Sequence, residues 1–301
     1  MTYAIIGTGA IGGFYGARLA QSGKEVHFLL HSDYEFVRQH GLQVNSCEGN
    51  FHLPRPLIYN HVSAMPQVDV VIVALKSTNN HLLPQLLPPL LKPTTLVLLI
   101  QNGIGLEDDL LALMPGLHLA AGLAFICSAK TQPGVINHQF YGSINIGNFN
   151  APTVAPLLAD LADAGIKARE VDYLEARWRK AVWNMPFNGM TVALHTQTDR
   201  LLANPATERL IEAQMLEVIG AAQALGVTAL TPAFAEKMMA STRAMVPYSP
   251  SMRLDYDFHR PMEIHYLYSR PIELARAAGF SMPLMQMLEA ELRFLEAENL
   301  G

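Results

Sequence analysis

Three polar side chains in the stretch RWRKAVWNMPFNG, residues 177–189, are spaced so that they could act on one small ligand. Lys180, Asn184 and Asn188 are four residues apart, which on a helix places them in one stripe along a single face. An ammonium group can donate a proton, and two amides can hold a small polar molecule. The alternative is a lysine that extends to solvent at a domain edge, with both asparagines bonded to backbone groups.

The helix that positions this stripe is predicted over residues 173–195. Its many apolar residues indicate a mostly buried helix, so the polar stripe must be satisfied internally or line a cleft. Pro186 interrupts the pattern, because it lacks an amide hydrogen and crowds the carbonyl group of Val182. We therefore expect a kink that follows Lys180 and Asn184.

A second candidate site is the glycine motif GTGAIG, residues 7–12, which directly follows a predicted strand and opens a helical run. In a dinucleotide-binding fold, Gly7 allows a tight turn, Gly9 lets the backbone approach a pyrophosphate, and Gly12 allows close packing of helix on strand. The amides and the positive end of the helix dipole then hold the phosphates. The alternative is a loop in which the glycines only form a turn. The predicted cofactor-binding residues of this motif are Gly7, Thr8, Gly9, Ala10, Ile11 and Gly12.

The end of the second predicted strand bears on the choice of nicotinamide cofactor. NAD-binding folds carry an acidic residue there for the ribose hydroxyls, whereas NADP-binding folds carry a basic group. Here the strand is followed by His31, Ser32 and Asp33. A protonated His31 and the Ser32 hydroxyl suit a phosphate, whereas Asp33 suits the NAD ribose or the N-cap of the next helix. We favour NADPH, contacted by His31 and Ser32, with NADH as the alternative.

Two further loops follow predicted strands, where open α/β folds bind their ligands. Lys76 in ALKS follows the third strong strand, and Asn102 in IQNGIG follows the fourth. Lys76 is predicted to approach the cofactor phosphates or ribose, or to be solvated. Asn102 is predicted to reach both nicotinamide and substrate, although Asn-Gly is also common in turns.

Composition limits the classes of protein that the chain can form. With 301 residues, half of them hydrophobic, it is long enough for two domains. A net charge of −5 and a pI near 6.1 do not favour a nucleic-acid partner. Two distant cysteines, no charged leader and no long apolar run indicate a cytoplasmic protein without a membrane partner. The eleven histidines form no close ligand pair, so we expect no metal site.

The order of predicted elements differs between the two halves of the chain. Continuous apolar runs typical of a covered parallel sheet occur at residues 3–7, 25–30, 69–75 and 94–100. Further strand-like segments follow at residues 119–126, 134–138, 143–147 and 166–171. Long helical patterns follow, most clearly at residues 205–226. The sequence predicts an α/β protein with an N-terminal Rossmann-type dinucleotide-binding domain, residues 1–172. An all-α domain for substrate binding or dimerisation is predicted over residues 173–301.

The ordered motifs resemble those of the ketopantoate reductases (2-dehydropantoate 2-reductases) over nearly the whole chain. The matching segments are IIGTGAIGG, VIVALKS, IQNGIG, WRKAVWNMPFN, SPSMRLD, PMEIHYL and RAAGFSMPLMQML. The resemblance implies NADPH-dependent reduction of a small 2-oxo acid, 2-dehydropantoate, to (R)-pantoate in pantothenate biosynthesis.

The same resemblance implies roles for individual residues. Lys180 matches the family's catalytic lysine, which gives a proton to the 2-oxo oxygen as NADPH delivers hydride. Glu263 matches a glutamate that contacts substrate, and it would help to keep the lysine charged. The remaining matches are Asn102, Asn184, Asn188 and Ser251, which bind substrate or cofactor, and Lys76 on the cofactor side. Ser251 suits the substrate carboxylate.

Departures from the family pattern leave other functions open. His31 stands where an arginine is common, while Met262 and His265 replace a threonine and an aspartate around Glu263. A related NAD(P)-dependent reductase of another 2-oxo acid is one alternative, and a non-catalytic NADP-sensing protein is another. The apolar helical domain is also compatible with a homodimer.

Overall fold

The computed structural model describes residues 1–301, which form two compact units. Unit 1 contains residues 1–101 and 106–173, and unit 2 contains residues 102–105 and 174–301. The chain thus leaves unit 1 at residue 102 and returns to it at residue 106. No helix in either unit has the length and apolar character needed to cross a lipid bilayer.

Unit 1 is built on a ten-stranded sheet with the order β4-β3-β9-β8-β7-β6-β1-β2-β5, and β10 pairs with β9. The strands are β1 (Thr2–Ile6), β2 (Glu25–Leu29), β3 (Leu42–Ser46), β4 (Phe51–Leu53), β5 (Leu57–Tyr59), β6 (Val68–Val73), β7 (Leu91–Leu99), β8 (His118–Gln132), β9 (Val135–Asn148) and β10 (Ala168–Val171). The helices are α1 (Ala10–Gln21), α2 (Tyr34–His40), α3 (Leu83–Leu86), α4 (Leu106–Leu113) and α5 (Ala155–Asp163).

The six strands β5-β2-β1-β6-β7-β8 are mutually parallel and have the strand order of a dinucleotide-binding fold. Strand β1 pairs with β2 on one side, where Ile5 lies opposite Phe28, and with β6 on the other, where Ile5 lies opposite Ile72. The strand order therefore reverses at β1, and ligands of such sheets bind beyond the carboxyl ends of the strands at this point. The α/β class predicted from sequence is confirmed.

One detail of the predicted sheet is wrong. The runs 134–138 and 143–147 were expected as separate strands, but they belong to the single strand β9, which pairs along its length with β8. Tyr141 and Gly142 between them have φ of 67° and 116°, and the register shifts beside them. The apparent break in the apolar pattern is therefore a bulge inside a continuous strand.

Unit 2 is helical and has its own apolar core. Its helices are α6 (Tyr173–Ala193), α7 (Thr198–Ala203), α8 (Pro205–Ala224), α9 (Pro232–Arg243), α10 (Ser251–Asp257), α11 (Arg270–Ala277) and α12 (Pro283–Leu300), with a π-helical turn at His265–Ser269. Helix α6 supplies the fully buried Trp178 and Phe187 to a core shared with Ile211 of α8 and Leu292 of α12. Because α6 is packed on most sides, its polar side chains are held in defined positions.

Candidate active site

The glycine loop between β1 and α1 and the first turn of that helix contain two glycines, Gly7 and Gly12, that close backbone contacts require. A Cβ at Gly7 would lie 2.5 Å from the Leu75 amide nitrogen, and Gly7 has φ of +97°. A Cβ at Gly12 would lie 2.3 Å from the Gly7 carbonyl oxygen. Both positions therefore exclude any larger residue. The Thr8 hydroxyl donates to the Leu29 carbonyl group at 2.9 Å, which ties the loop to the end of β2.

Gly9 differs from its neighbours because neither backbone nor packing demands a glycine. Its φ is −88°, and a Cβ there would meet no atom within 4 Å. The space over Gly9 adjoins the first turn of α1, whose leading amides have no intrahelical partner. This open cradle fits a pyrophosphate group, which a helix N-terminus stabilises.

The residues after β2 are not arranged as the sequence alone indicated. His31 and Ser32 are exposed, as cofactor contacts require. Asp33 takes the N-cap position of α2, but its side chain does not cap that helix. Its carboxylate instead accepts hydrogen bonds from the Lys130 ammonium at 2.8 Å and the Gly134 amide at 3.1 Å. Asp33 therefore stands at the N-cap position, as one of its two predicted alternatives has it, but its side chain does not cap the helix, because partners from the β8–β9 hairpin take its oxygens.

The loop after β6 is held by a buried amide. Gln101 donates from its amide nitrogen to the Leu75 carbonyl group at 2.7 Å and to the Asn80 side chain at 2.7 Å. These bonds connect the backbone directly before Lys76 with a side chain four residues after it. Lys76 itself is half-buried at the carboxyl end of the strand. Gln101 is thus a positioning residue for this loop.

In unit 2, helix α6 carries the stripe of Lys180, Asn184 and Asn188 and continues through Pro186. A hydrogen bond supports the helix beside the proline, because the buried Tyr268 hydroxyl donates to the Met185 carbonyl group at 2.6 Å. Close approach of Tyr268 requires Gly189, where a Cβ would lie 2.6 Å from the hydroxyl oxygen.

Lys180 lies in an environment that makes its ammonium unusually acidic. Burial is the largest cause and, with the nearby Arg177 guanidinium, lowers the pKa of Lys180 to about 7, while the Glu263 carboxylate raises it in part. Glu263 was expected to keep this lysine charged, and its effect has that sign but does not outweigh burial and Arg177. Arg177 is itself buried, with 2% of its surface exposed, and was not identified from the sequence as part of the site.

The two asparagines of the stripe have different surroundings. The buried Asn188 donates to the Asn184 carbonyl group at 2.9 Å and accepts from the Met252 amide at 3.2 Å, so it anchors the first turn of α10. That turn begins at Ser251, whose side chain is exposed. The Asn184 side chain makes no hydrogen bond within the protein and is 9% exposed.

Asn102 is positioned by the π-helical turn that follows Glu263. In this turn the Arg270 amide bonds the His265 carbonyl group, and the next residue, Pro271, has no amide hydrogen. The Tyr266 carbonyl group in this turn accepts a hydrogen bond from the Ile104 amide at 3.0 Å.

Gly103 makes this contact feasible. Its φ is +113°, and a Cβ there would lie 2.5 Å from the Tyr266 oxygen. The segment that carries Asn102 is thus docked on the turn that begins two residues after Glu263.

Comparisons with known proteins identify the family. The model of "Ketopantoate reductase PanE/ApbA" matches residues 3–151, and that of its C-terminal domain matches residues 172–296. A 2-dehydropantoate 2-reductase from Nostoc sp. is 42% identical, covering 99% of this chain and 96% of the relative. The crystal structure of a 2-dehydropantoate 2-reductase from Geobacter metallireducens is 36% identical with a TM-score of 0.94, covering 98% of this chain and 99% of that chain.

A more distant structure shows the fold alone. It is a D-mandelate dehydrogenase solved with NADH and anilino(oxo)acetate, and it is 24% identical with a TM-score of 0.88 over 99% of both chains. Both halves of the chain match the ketopantoate reductase models, and the 42% identical relative spans its full length. The chain therefore belongs to the ketopantoate reductase family, oxidoreductases that act on CH–OH groups with a nicotinamide cofactor.

Proposed function

We propose that this protein catalyses the NADPH-dependent reduction of 2-dehydropantoate to (R)-pantoate, with Lys180 as the proton donor. Family membership supports the reaction class, and the lowered pKa of Lys180, about 7, supports its role as the acid. A lysine with that pKa gives up its proton at neutral pH far more readily than a solvated one, while remaining partly protonated.

The chemistry follows from the charges around Lys180. Bound NADPH supplies the hydride that reduces the carbonyl carbon of the substrate. The carbonyl oxygen becomes an alkoxide, which the Lys180 ammonium stabilises and then protonates, leaving a neutral amine. Burial and Arg177 favour that neutral amine, whereas Glu263 favours the ammonium that precedes it. Together, burial, Arg177 and Glu263 bring the ammonium and the neutral amine of Lys180 close in free energy near pH 7.

Three side chains in unit 2 support binding of a small polar substrate. Asn102, Asn184 and Ser251 make no side-chain hydrogen bond within the protein, so each has polar groups available to a ligand. The Ser251 hydroxyl suits a carboxylate, and the asparagine amides suit hydroxyl or carbonyl oxygens. We assign Asn188 the task of positioning Ser251, because both ends of its amide already have partners.

The cofactor contacts are proposed for unit 1. The cradle over Gly9 supports a pyrophosphate contact by the backbone of residues 7–12. Exposed His31 and Ser32 follow β2, and Lys76 follows β6, so all three stand at carboxyl ends of strands. Cys47 and Cys127 are free thiols, which supports a reducing cytoplasmic location.

The experiment is turnover of 2-dehydropantoate by the purified protein, followed as loss of NADPH absorbance. Lys180→Met should lower kcat by about 10²- to 10⁴-fold, the usual contribution of a positioned acid. Lys237→Met is the matched control, because Lys237 is an exposed lysine on α9 of the same unit, and it should leave kcat unchanged. Equal activity of the Lys180 variant would remove the proposed acid.

A second function is favoured by the residues around Glu263. Met262 and His265 depart from the family pattern, which favours a 2-oxo acid other than 2-dehydropantoate as the substrate. A panel of 2-oxo acids with NADPH and NADH distinguishes the substrates by kcat/KM. Nucleotide binding without turnover of any of them would instead indicate the NADP-sensing alternative.

A further inference from the structure

We propose that Lys130, on strand β8, binds the 2′-phosphate of NADPH and so supplies the cofactor preference that an arginine after β2 would otherwise provide. This inference rests on the proposed cofactor, and it names the residue of this chain that selects it. The proposed site binds a phosphate monoester at the end of β2. Lys130 reaches it from β8, about 100 residues further along the chain.

The first observation is that Asp33 is not available to an NAD ribose. Its side chain is 8% exposed, and its oxygens accept hydrogen bonds from the Lys130 ammonium, the Gly134 amide and the Ser32 hydroxyl. Burial alone would raise the pKa of Asp33, but these donors hold it below its ordinary value. A carboxylate with three donors cannot also bind two ribose hydroxyls without losing a partner.

The second observation is that the β8–β9 hairpin brings Lys130 beside the glycine loop. The Ser128 hydroxyl donates to the carbonyl group of Ala10, the first residue of α1, at 3.3 Å. Residues 128–130 pair with β9 in an unbroken register, so Ser128 and Lys130 point to the same face of the strand. The ion pair with Asp33 then fixes the ammonium at the end of β2, where the 2′ position of a bound adenosine lies.

The third observation is that Lys130 retains donors. An ammonium group has three hydrogens, and the only protein partner of this one is Asp33. About a third of the side chain is exposed, at 33%, so solvent or a ligand can reach it. A phosphate with two negative charges is a stronger partner for the remaining hydrogens than water is. Asp33 is thus a positioning residue that holds the ammonium in place.

The experiment compares nucleotides that differ only in the 2′-phosphate. Dissociation constants of 2′,5′-ADP and 5′-AMP, and of NADPH and NADH, are measured by calorimetry at low ionic strength. In Lys130→Met, binding of 2′,5′-ADP and NADPH should weaken about tenfold or more, the usual loss for a charged hydrogen bond. Binding of 5′-AMP and NADH should change less than about twofold, since they lack the group that Lys130 contacts.

The matched control is the ion pair of Lys92 and Asp69, which also has a separation of 2.8 Å. It lies at the amino ends of β6 and β7, away from the ligand edge, so Lys92→Met should alter none of the four constants. Lys130→Arg keeps the charge and should restore the preference for 2′-phosphorylated nucleotides, which separates charge from folding.

Two results would overturn the inference. One is an equal effect of Lys130→Met on phosphorylated and unphosphorylated nucleotides, or no effect on either. The other is tighter binding of NADH than of NADPH by the unaltered protein. Failure of the proposed function gives a different result, because the protein would then bind NADPH through Lys130 but would not reduce 2-dehydropantoate.

Discussion

The acidity of Lys180 predicts how the rate of reduction changes with pH. With a pKa of about 7 instead of the ordinary 10.5, the protonated fraction falls through the neutral range. The protonated fraction is about one half at pH 7 and about one hundredth at pH 9, because each pH unit changes the ratio tenfold. The value of kcat/KM for reduction should therefore be constant at low pH and fall about fiftyfold from pH 7 to pH 9.

The neighbours of Lys180 predict the direction in which variants shift this profile. Arg177→Met removes a cation that lowers the pKa of Lys180, so the midpoint should move to higher pH. Glu263→Gln removes the carboxylate that raises it, so the midpoint should move to lower pH. In the proposed mechanism, oxidation of pantoate requires the neutral amine, so its rate should rise through the same midpoint at which reduction falls.

The assay is kcat/KM at constant ionic strength from pH 5.5 to 10 in both directions, since this parameter reports the pKa of the free enzyme. The exposed Lys237→Met variant should reproduce the unaltered profile. A reduction rate that stays constant to pH 9, or midpoints that move opposite to these signs in the two variants, would refute the electrostatic reasoning.

The remaining predictions separate folding from ligand binding. Gly9→Ala should keep the melting temperature but weaken nucleotide binding, because its Cβ enters only open space, whereas Gly12→Ala should lower the melting temperature through its contact with Gly7. Thermal melts and NADPH titration of both variants test this, and the reverse pattern would contradict it. Tyr268→Phe should cost about 0.5–1.5 kcal/mol in urea unfolding, because the buried hydrogen bond from the hydroxyl to the Met185 carbonyl group is lost. Tyr256→Phe is the control, since the Tyr256 hydroxyl has no hydrogen bond in the protein, and equal losses would show that the Tyr268 bond is not the cause.

The sequence predicted those strands whose apolar pattern matches their burial in the folded protein. Central strands such as β1 and β6 are continuous apolar runs, and they are buried on both faces as expected. The short strands β3, β4 and β5 were not predicted, because their half-polar sequences become strands only through their neighbours. Strand β9 was predicted as two strands, because Gly142 is a turn signal in the local sequence. Pairing with β8 on both sides of Gly142 makes it one strand.

The candidate site shows the same division between local and distant information. The four-residue spacing that selected Lys180 is a property of one helix, so the sequence contains it. Arg177 lies three residues before Lys180 on the same helix, but spacing does not show that its guanidinium is buried and acts on the ammonium. The role proposed for Lys130 depends on a contact with a residue far along the chain, and spacing gives no signal for such a contact. The residues next to Asp33 in sequence predicted an N-cap or a ribose ligand. In the structure its carboxylate binds the ammonium of Lys130, 97 positions away.

The docking of Gly103 and Ile104 on the π-helical turn has a consequence for protein engineering. Unit 2 is assembled from two pieces of chain, and its smaller piece is four residues encoded between β7 and α4. A hybrid of two family members joined at residue 173 would therefore pair the Tyr266 carbonyl group of one parent with the Ile104 amide of the other. Recombination that preserves this contact needs three crossover points, so that residues 102–105 are inherited together with residues 174–301.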